Sequence, residues 1–83
     1  MNETIRNILG RVGGLPVPVT DLSNDADLYA AGLSSFASVQ LMLGLEEAFD
    51  MEFPDSLLNR KSFASIAAIE GTVKQILDRT EAA

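Results

Sequence analysis

The sequence contains no cysteine and no histidine. Small domains bury too little apolar surface to hold a fold easily, and many rely on disulfides or a bound metal that this chain cannot supply. The same absences exclude chemistry. No Ser-His-Asp triad, Cys-His pair, zinc finger or His-ligated transition metal can be assembled, so few kinds of enzyme remain. Long apolar runs are missing too: nothing approaches the ~20 residues of a membrane span. The segment MNETIRNILG lacks the positively charged start and apolar stretch of about 7–15 residues of a signal peptide. A bacterial or organellar interior, in practice the cytoplasm, is the expected compartment.

What is present suits a soluble globule. The 83 residues (8.9 kDa) are 47% apolar, enough for one domain over residues 1–83, which we expect to be a monomer. Ten of the apolar residues are alanine, so the core is thin. The net charge of −6 and pI near 4.3 disfavour nucleic acid and anionic membranes, whose phosphates repel such a surface. Position sharpens this. Between Arg11 and Arg60 lie eight acids (Asp21, Asp25, Asp27, Glu46, Glu47, Asp50, Glu52 and Asp55) and no Lys or Arg. That segment is an electrostatic target for a cationic partner, or equally a set of acids placed for solubility.

Four helical segments are legible. Ile5, Ile8, Leu9 and Val12 recur at i, i+3, i+4, i+7, predicting an amphipathic helix behind an Asn2 cap that ends at Gly13-Gly14. A stretch of about 20 residues follows, with two prolines and at most a turn of helix at 27–31. Its Leu15, Val17, Val19, Leu22, Leu28 and Leu33 suggest an ordered crossover packed on the bundle. Residues 35–50 form the clearest helix, with Ser34 as natural N-cap and Gly44 tolerated inside. After Phe53-Pro54, Asp55 or Ser56 is placed to cap a short third helix over Leu57 and Leu58. A last helix carries Ile66, Ile69, Val73, Ile76 and Leu77 behind Ser65.

The second helix has two apolar faces. At about 100° per residue, Leu41, Met42, Leu45, Ala48 and Phe49 share one arc, which suits a core. Phe36, Val39 and Leu43 fall on a roughly opposite arc, beside Gln40, Glu46, Glu47 and Asp50. One thin core cannot cover both, so the second arc reads as a docking stripe unless the crossover folds over it. It begins at the first helical turn, where free backbone N–H groups favour negative charge. Ser34 and Ser35 stand there. Either serves as a cap, the commoner reading by position, or as an attachment point for a phosphodiester.

Taken together, DLYAAGLSSFASVQLMLGLEEAFDMEFP resembles the acyl, peptidyl and aminoacyl carrier proteins. The matching positions are Asp27, Leu28, Gly32, Ser35, Phe36, Val39, Leu41, Leu45, Glu46, Glu47 and Phe49, followed by Phe53-Pro54. The likeness spans nearly the whole chain. It implies an all-α, four-helix bundle with a long loop between the first two helices and a short third helix. It also implies 4′-phosphopantetheine esterified to Ser35 from coenzyme A by a phosphopantetheinyl transferase with Mg²⁺. The arm's thiol would hold an acyl or aminoacyl thioester, loaded by an acyl- or amino acid:carrier protein ligase and passed to a downstream acyl or aminoacyl transferase. Such a carrier positions its cargo and does not catalyse. Ser34, Phe36, Val39, Gln40, Leu43, Glu46 and Glu47 then form the expected partner-binding face.

Two kinds of departure bear on the kind of carrier. Ser34, Ala37 and Gln40 replace family acids around the serine, and Arg60 and Lys61 add positive charge near the third helix. Housekeeping fatty-acid partners read an acidic surface, so a specialised carrier is favoured, with a small amino acid such as glycine or alanine as preferred cargo. D-alanyl, peptidyl, fatty-acid and polyketide carriers stay open. A rival of another class is an interaction module that kept the fold without the prosthetic group. A calcium loop on Asp21, Ser23, Asp25 and Asp27 is rejected, since Ala26 and Gly32 stand where an EF-hand needs Gly and Glu. A serine hydrolase would need Lys61 or Lys74 as base, with no sequence reason for either to be near.

Overall fold

The chain buries its apolar stripes by folding three helices around one core. The computed structural model describes the backbone of residues 1–82 and the side chains of residues 1–79. Helix α1 spans Asn2–Val12, α2 Ser35–Phe49 and α3 Ile66–Ala82, with 3₁₀ turns at Val19–Asp21, Asp55–Leu57 and Arg60–Phe63. No strand occurs among the described residues, and no helix among them is long and apolar enough to cross a membrane. The stripes meet as their spacing requires. Ile5, Ile8 and Leu9 of α1, Leu41 and Leu45 of α2, and Ile66, Ile69, Val73 and Ile76 of α3 are all buried. Gly44 turns out to mark the close crossing of α1 and α2, because a Cβ there would come within 2.8 Å of Ile8 Cγ2.

This is the all-α architecture expected, with a different third element. The predicted short helix over Leu57 and Leu58 is replaced by two 3₁₀ turns. Pro54, with no side-chain cap, precedes the first turn; neither Asp55 nor Ser56 caps it. Asn59 caps the second, its Oδ1 accepting from Ser62 N at 3.0 Å. The reason is packing: Phe53 and Phe63 both enter the core with ring centroids 5.4 Å apart, and a tight, irregular path between them brings both rings inward.

Two smaller expectations also need correcting. Met1, not Asn2, is the N-cap of α1. The Asn2 side chain instead accepts from Arg6 Nε (2.9 Å) and donates to Asn24 Oδ1 (2.9 Å) and Glu70 Oε2 (3.3 Å). That bond to Asn2, more than the nearby Lys74, holds the Glu70 carboxyl below its ordinary range. Ala48, expected on the core-facing arc, is exposed, while Phe49 beside it is half-buried; α2 ends there, with Asp50 in a left-handed conformation (φ 49°).

The crossover is ordered, and backbone and side-chain hydrogen bonds hold it. Arg6 Nη1 donates to Val19 O (2.6 Å) and Leu22 O (2.8 Å), and Nη2 to Asn24 Oδ1 (2.8 Å). Further along, Leu28 N donates to Ala64 O and Ala67 N to Asn24 O, each at 2.8 Å. Leu28 and Leu33 are buried and Leu15, Val19 and Leu22 half-buried, while Val17, expected to pack inward, is exposed. The crossover therefore lies against α1 and α3 and leaves the outer arc of α2 uncovered.

Candidate functional site at the start of the second helix

The position of Ser35 follows from the residues before it. Asp27 Oδ1 accepts from the N–H groups of Tyr29 (3.0 Å) and Ala30 (3.2 Å), setting a single helical turn closed by Ala31 N to Asp27 O. That role as a local cap accounts for Asp27, and no metal-holding cluster of acids occurs among the described residues. Gly32 then reverses the chain at φ 118°, a conformation open to glycine and strained for other residues, close to Pro16. Leu28 and Leu33, both buried, anchor the two sides of this turn. The chain emerges from Leu33 to begin α2 at the surface.

There the three serines take different tasks. Ser34 is the N-cap: its Oγ accepts from Ala37 N at 3.0 Å. Ser38 is half-buried and its Oγ donates to Ser35 O at 2.7 Å. Ser35 is exposed, and its hydroxyl has no hydrogen-bond partner among the described residues. The N–H groups of Ser35 and Phe36, in the first turn, have no carbonyl within the helix to bond. A phosphodiester on Ser35 Oγ fits this arrangement, because the oxygen is open to solvent and the helix presents unpaired donors and the positive end of its dipole.

Ser35 also opens into a groove of about 420 Å³ between α2 and the 3₁₀ turn Arg60–Phe63. Val39, Met42, Leu58 and Phe63 give it apolar walls; Tyr29, Ser38, Asn59 and Arg60 complete it. The Arg60 guanidinium carbon lies 3.9 Å from the centroid of the Tyr29 ring, a cation–π stack. Burial pushes the Tyr29 phenol above its ordinary pKa; Arg60 pulls the other way and Asp27 adds to the rise. Neither this groove nor the stack was foreseen from sequence, since Tyr29 and Arg60 are 31 positions apart and nothing local pairs them. Lys61 does not line the groove, and Lys74 pairs with Glu70 at 3.4 Å on α3, so the base that a serine hydrolase would need is not assembled at Ser35.

The outer arc of α2 is bare. Phe36 is 74% exposed, Val39 50% and Leu43 49%. Beside it Glu47 is exposed and Gln40 half-buried. Glu46 is committed elsewhere, its Oε2 accepting from Phe53 N at 2.9 Å and securing the turn after α2. The paired glutamates of the motif thus divide into one that holds the fold and one, Glu47, that has no partner among the described residues. Glu46→Ala is expected to lose about 1–2 kcal/mol because it strands a part-buried N–H, and Glu47→Ala less than about 0.5 kcal/mol. Urea denaturation of the two variants checks the division; equal losses would refute it.

Residues 3–73 match the family described as phosphopantetheine attachment site. The chain is similar to an aminoacyl carrier protein of Agrobacterium fabrum, 75% identical over 83 residues and the whole of both chains. Among solved structures it is similar to a carrier protein from Agrobacterium tumefaciens, crystallised with an engineered Bradyrhizobium japonicum glycine:[carrier protein] ligase and AMP. That likeness has 76% identity, a TM-score of 0.88 and coverage of 89% of this chain and 99% of the other. A second likeness, at 31% identity, a TM-score of 0.74 and coverage of 86% and 95%, is to a structure of the Bradyrhizobium japonicum glycine:[carrier protein] ligase complexed with glycylated carrier protein.

Proposed function

Since the chain belongs to the phosphopantetheine-attachment family, as one of its aminoacyl carrier proteins, we propose that Ser35 bears the 4′-phosphopantetheine arm and that the cargo is a small amino acid, glycine first. The protein carries and does not catalyse. When bound, the arm supplies a terminal thiol on which an aminoacyl group is held as a thioester. The chain's own residues do the rest. Ser34 keeps the first turn of α2 closed, Leu28 and Leu33 hold that turn at the surface, and Ser35 offers the one unbonded hydroxyl of the three neighbouring serines. That free, exposed oxygen is the observation that carries the assignment.

Docking falls to the bare stripe. Phe36, Val39 and Leu43 give a partner about three apolar anchors on one helix face, with Ser34, Gln40 and Glu47 at the margin. We assign three partners to it in turn: a phosphopantetheinyl transferase, an amino acid:carrier protein ligase and a downstream aminoacyl transferase. Support for glycine comes from the relatives solved with glycine:[carrier protein] ligase. Tethering makes each transfer effectively intramolecular once the carrier is docked. We place this work in the cytoplasm; no helix among the described residues is long and apolar enough to cross a membrane.

The test is intact-mass analysis of pantetheinylated protein incubated with ATP, glycine and a glycine:[carrier protein] ligase. A glycyl gain is expected. Val39→Asp and Leu43→Asp are expected to cut kcat/KM for loading at least about tenfold, or about 1.4 kcal/mol, with melting temperature nearly unchanged because both side chains are half exposed already. A large fall in melting temperature would make the stripe core rather than interface. Long acyl chains on protein purified from its own host would overturn the cargo, and failure to accept any arm would leave an interaction module.

A further inference from the structure

Among the described residues Arg60 forms no ion pair with a carboxylate. It is exposed on the 3₁₀ turn Arg60–Phe63 and lines the same groove as Ser35. The face of its guanidinium is taken up by the Tyr29 ring at 3.9 Å. Its edge is not: among the described residues its N–H groups meet no acceptor, and the ion pair formed is Lys74–Glu70. A guanidinium stacked by its face and free along its edge has lost rotational freedom while keeping its planar fork of donors, the geometry suited to bidentate binding of a phosphate. The groove contains no carboxylate to compete for it. The anion best placed to reach it is one tethered at Ser35.

We propose that Arg60, held by its stack on Tyr29, is a positioning residue that hydrogen-bonds the phosphodiester borne by Ser35 and so sets the direction in which the arm leaves the helix. This rests on Ser35 as the attachment site. The charge-assisted bonds join an anion already beside the first-turn N–H groups of α2, so the phosphate is gripped from the helix and from the 3₁₀ turn Arg60–Phe63 together. Arg60 thereby links arm direction to the element that shapes the far wall of the groove.

The test uses the full-length pantetheinylated protein, its arm first verified by intact mass, so that failure to attach the arm is seen separately from failure of this inference. Arg60→Gln is expected to shift the ³¹P resonance of the phosphodiester and to raise the mobility of the arm's ¹⁵N-labelled amides. It should also raise the ligase KM for the carrier about three- to tenfold with kcat within about twofold. Arg60→Lys should restore part of the ³¹P shift, since it keeps the charge and loses the fork. Tyr29→Leu, which removes the stack but not the guanidinium, should give an intermediate mobility. Unchanged ³¹P and amide relaxation in Arg60→Gln would overturn the proposal. So would a KM change without them, because Arg60 would then be only a contact for the ligase.

Discussion

Incubated with coenzyme A, Mg²⁺ and a broad-specificity phosphopantetheinyl transferase, the protein is expected to gain the mass of one arm. Ser35→Ala should gain none, and Ser34→Ala should gain it as the parent does. Three serines lie within five residues, and only their hydrogen bonds separate them. The Ser34 hydroxyl accepts from Ala37 N and the Ser38 hydroxyl donates its proton to Ser35 O, so an ester on Ser38 would lose its bond outright and one on Ser34 would crowd the cap. Ser35 gives up nothing by becoming an ester. The stability readouts run the opposite way. Ser34→Ala removes an N-cap worth about 1 kcal/mol, while Ser35→Ala should change stability by less than about 0.5 kcal/mol. A variant that loses the arm without losing stability, beside one that loses stability without losing the arm, separates the attachment residue from the cap. An arm found on Ser35→Ala would end the assignment.

Arg6→Met is expected to be the most destabilising single change outside the apolar core. One guanidinium joins α1 to three points of the crossover, the carbonyls of Val19 and Leu22 and the Asn24 side chain, and also bonds Asn2. Methionine keeps the length and apolar stem of the side chain and deletes every donor. Two backbone carbonyls then lose charged partners, each such bond being worth about 1.5–3 kcal/mol when intact. Part of the network is open to water, so a total loss of about 2–3 kcal/mol is the reasonable expectation. For a domain of this size that corresponds to a fall in melting temperature of about 10–20 °C. Lys74→Met, which removes a surface pair with Glu70, should cost less than about 0.5 kcal/mol. Hydrogen exchange at 19–24 should accelerate in Arg6→Met more than in the core helices, because the crossover is what loses its anchor. A fall below about 3 °C would show that the apolar residues of the crossover hold it without Arg6.

The regular helices were legible because each is a local pattern that burial then rewards. Ile5, Ile8 and Leu9, or Ile66, Ile69 and Val73, repeat at helical spacing and are buried where that spacing puts them. Ser34 and Ser65 cap as serines before apolar helices do. Asn2 misled for the same reason, being a good cap type whose side chain found stronger partners in Arg6, Asn24 and Glu70. The third element was misread because Leu57 and Leu58 suggest a helix, while the demand that Phe53 and Phe63 both reach the core broke the path into two 3₁₀ turns.

The chain's own order of residues was enough to settle that it is helical, where α2 begins, that its outer arc holds Phe36, Val39 and Leu43, and that Ser35 stands at its head. These are properties of neighbours within a turn or two, governed by periodicity and capping. Which glutamate of the pair holds the fold, how Arg6 pins the crossover and why Gly44 is needed emerged only from the packed molecule, as did the groove beside Ser35 with Arg60 laid on Tyr29. Each of these joins residues far apart along the chain. Such contacts depend on how the helices cross, and crossing is decided by the fit of side chains across the whole core rather than by any segment alone.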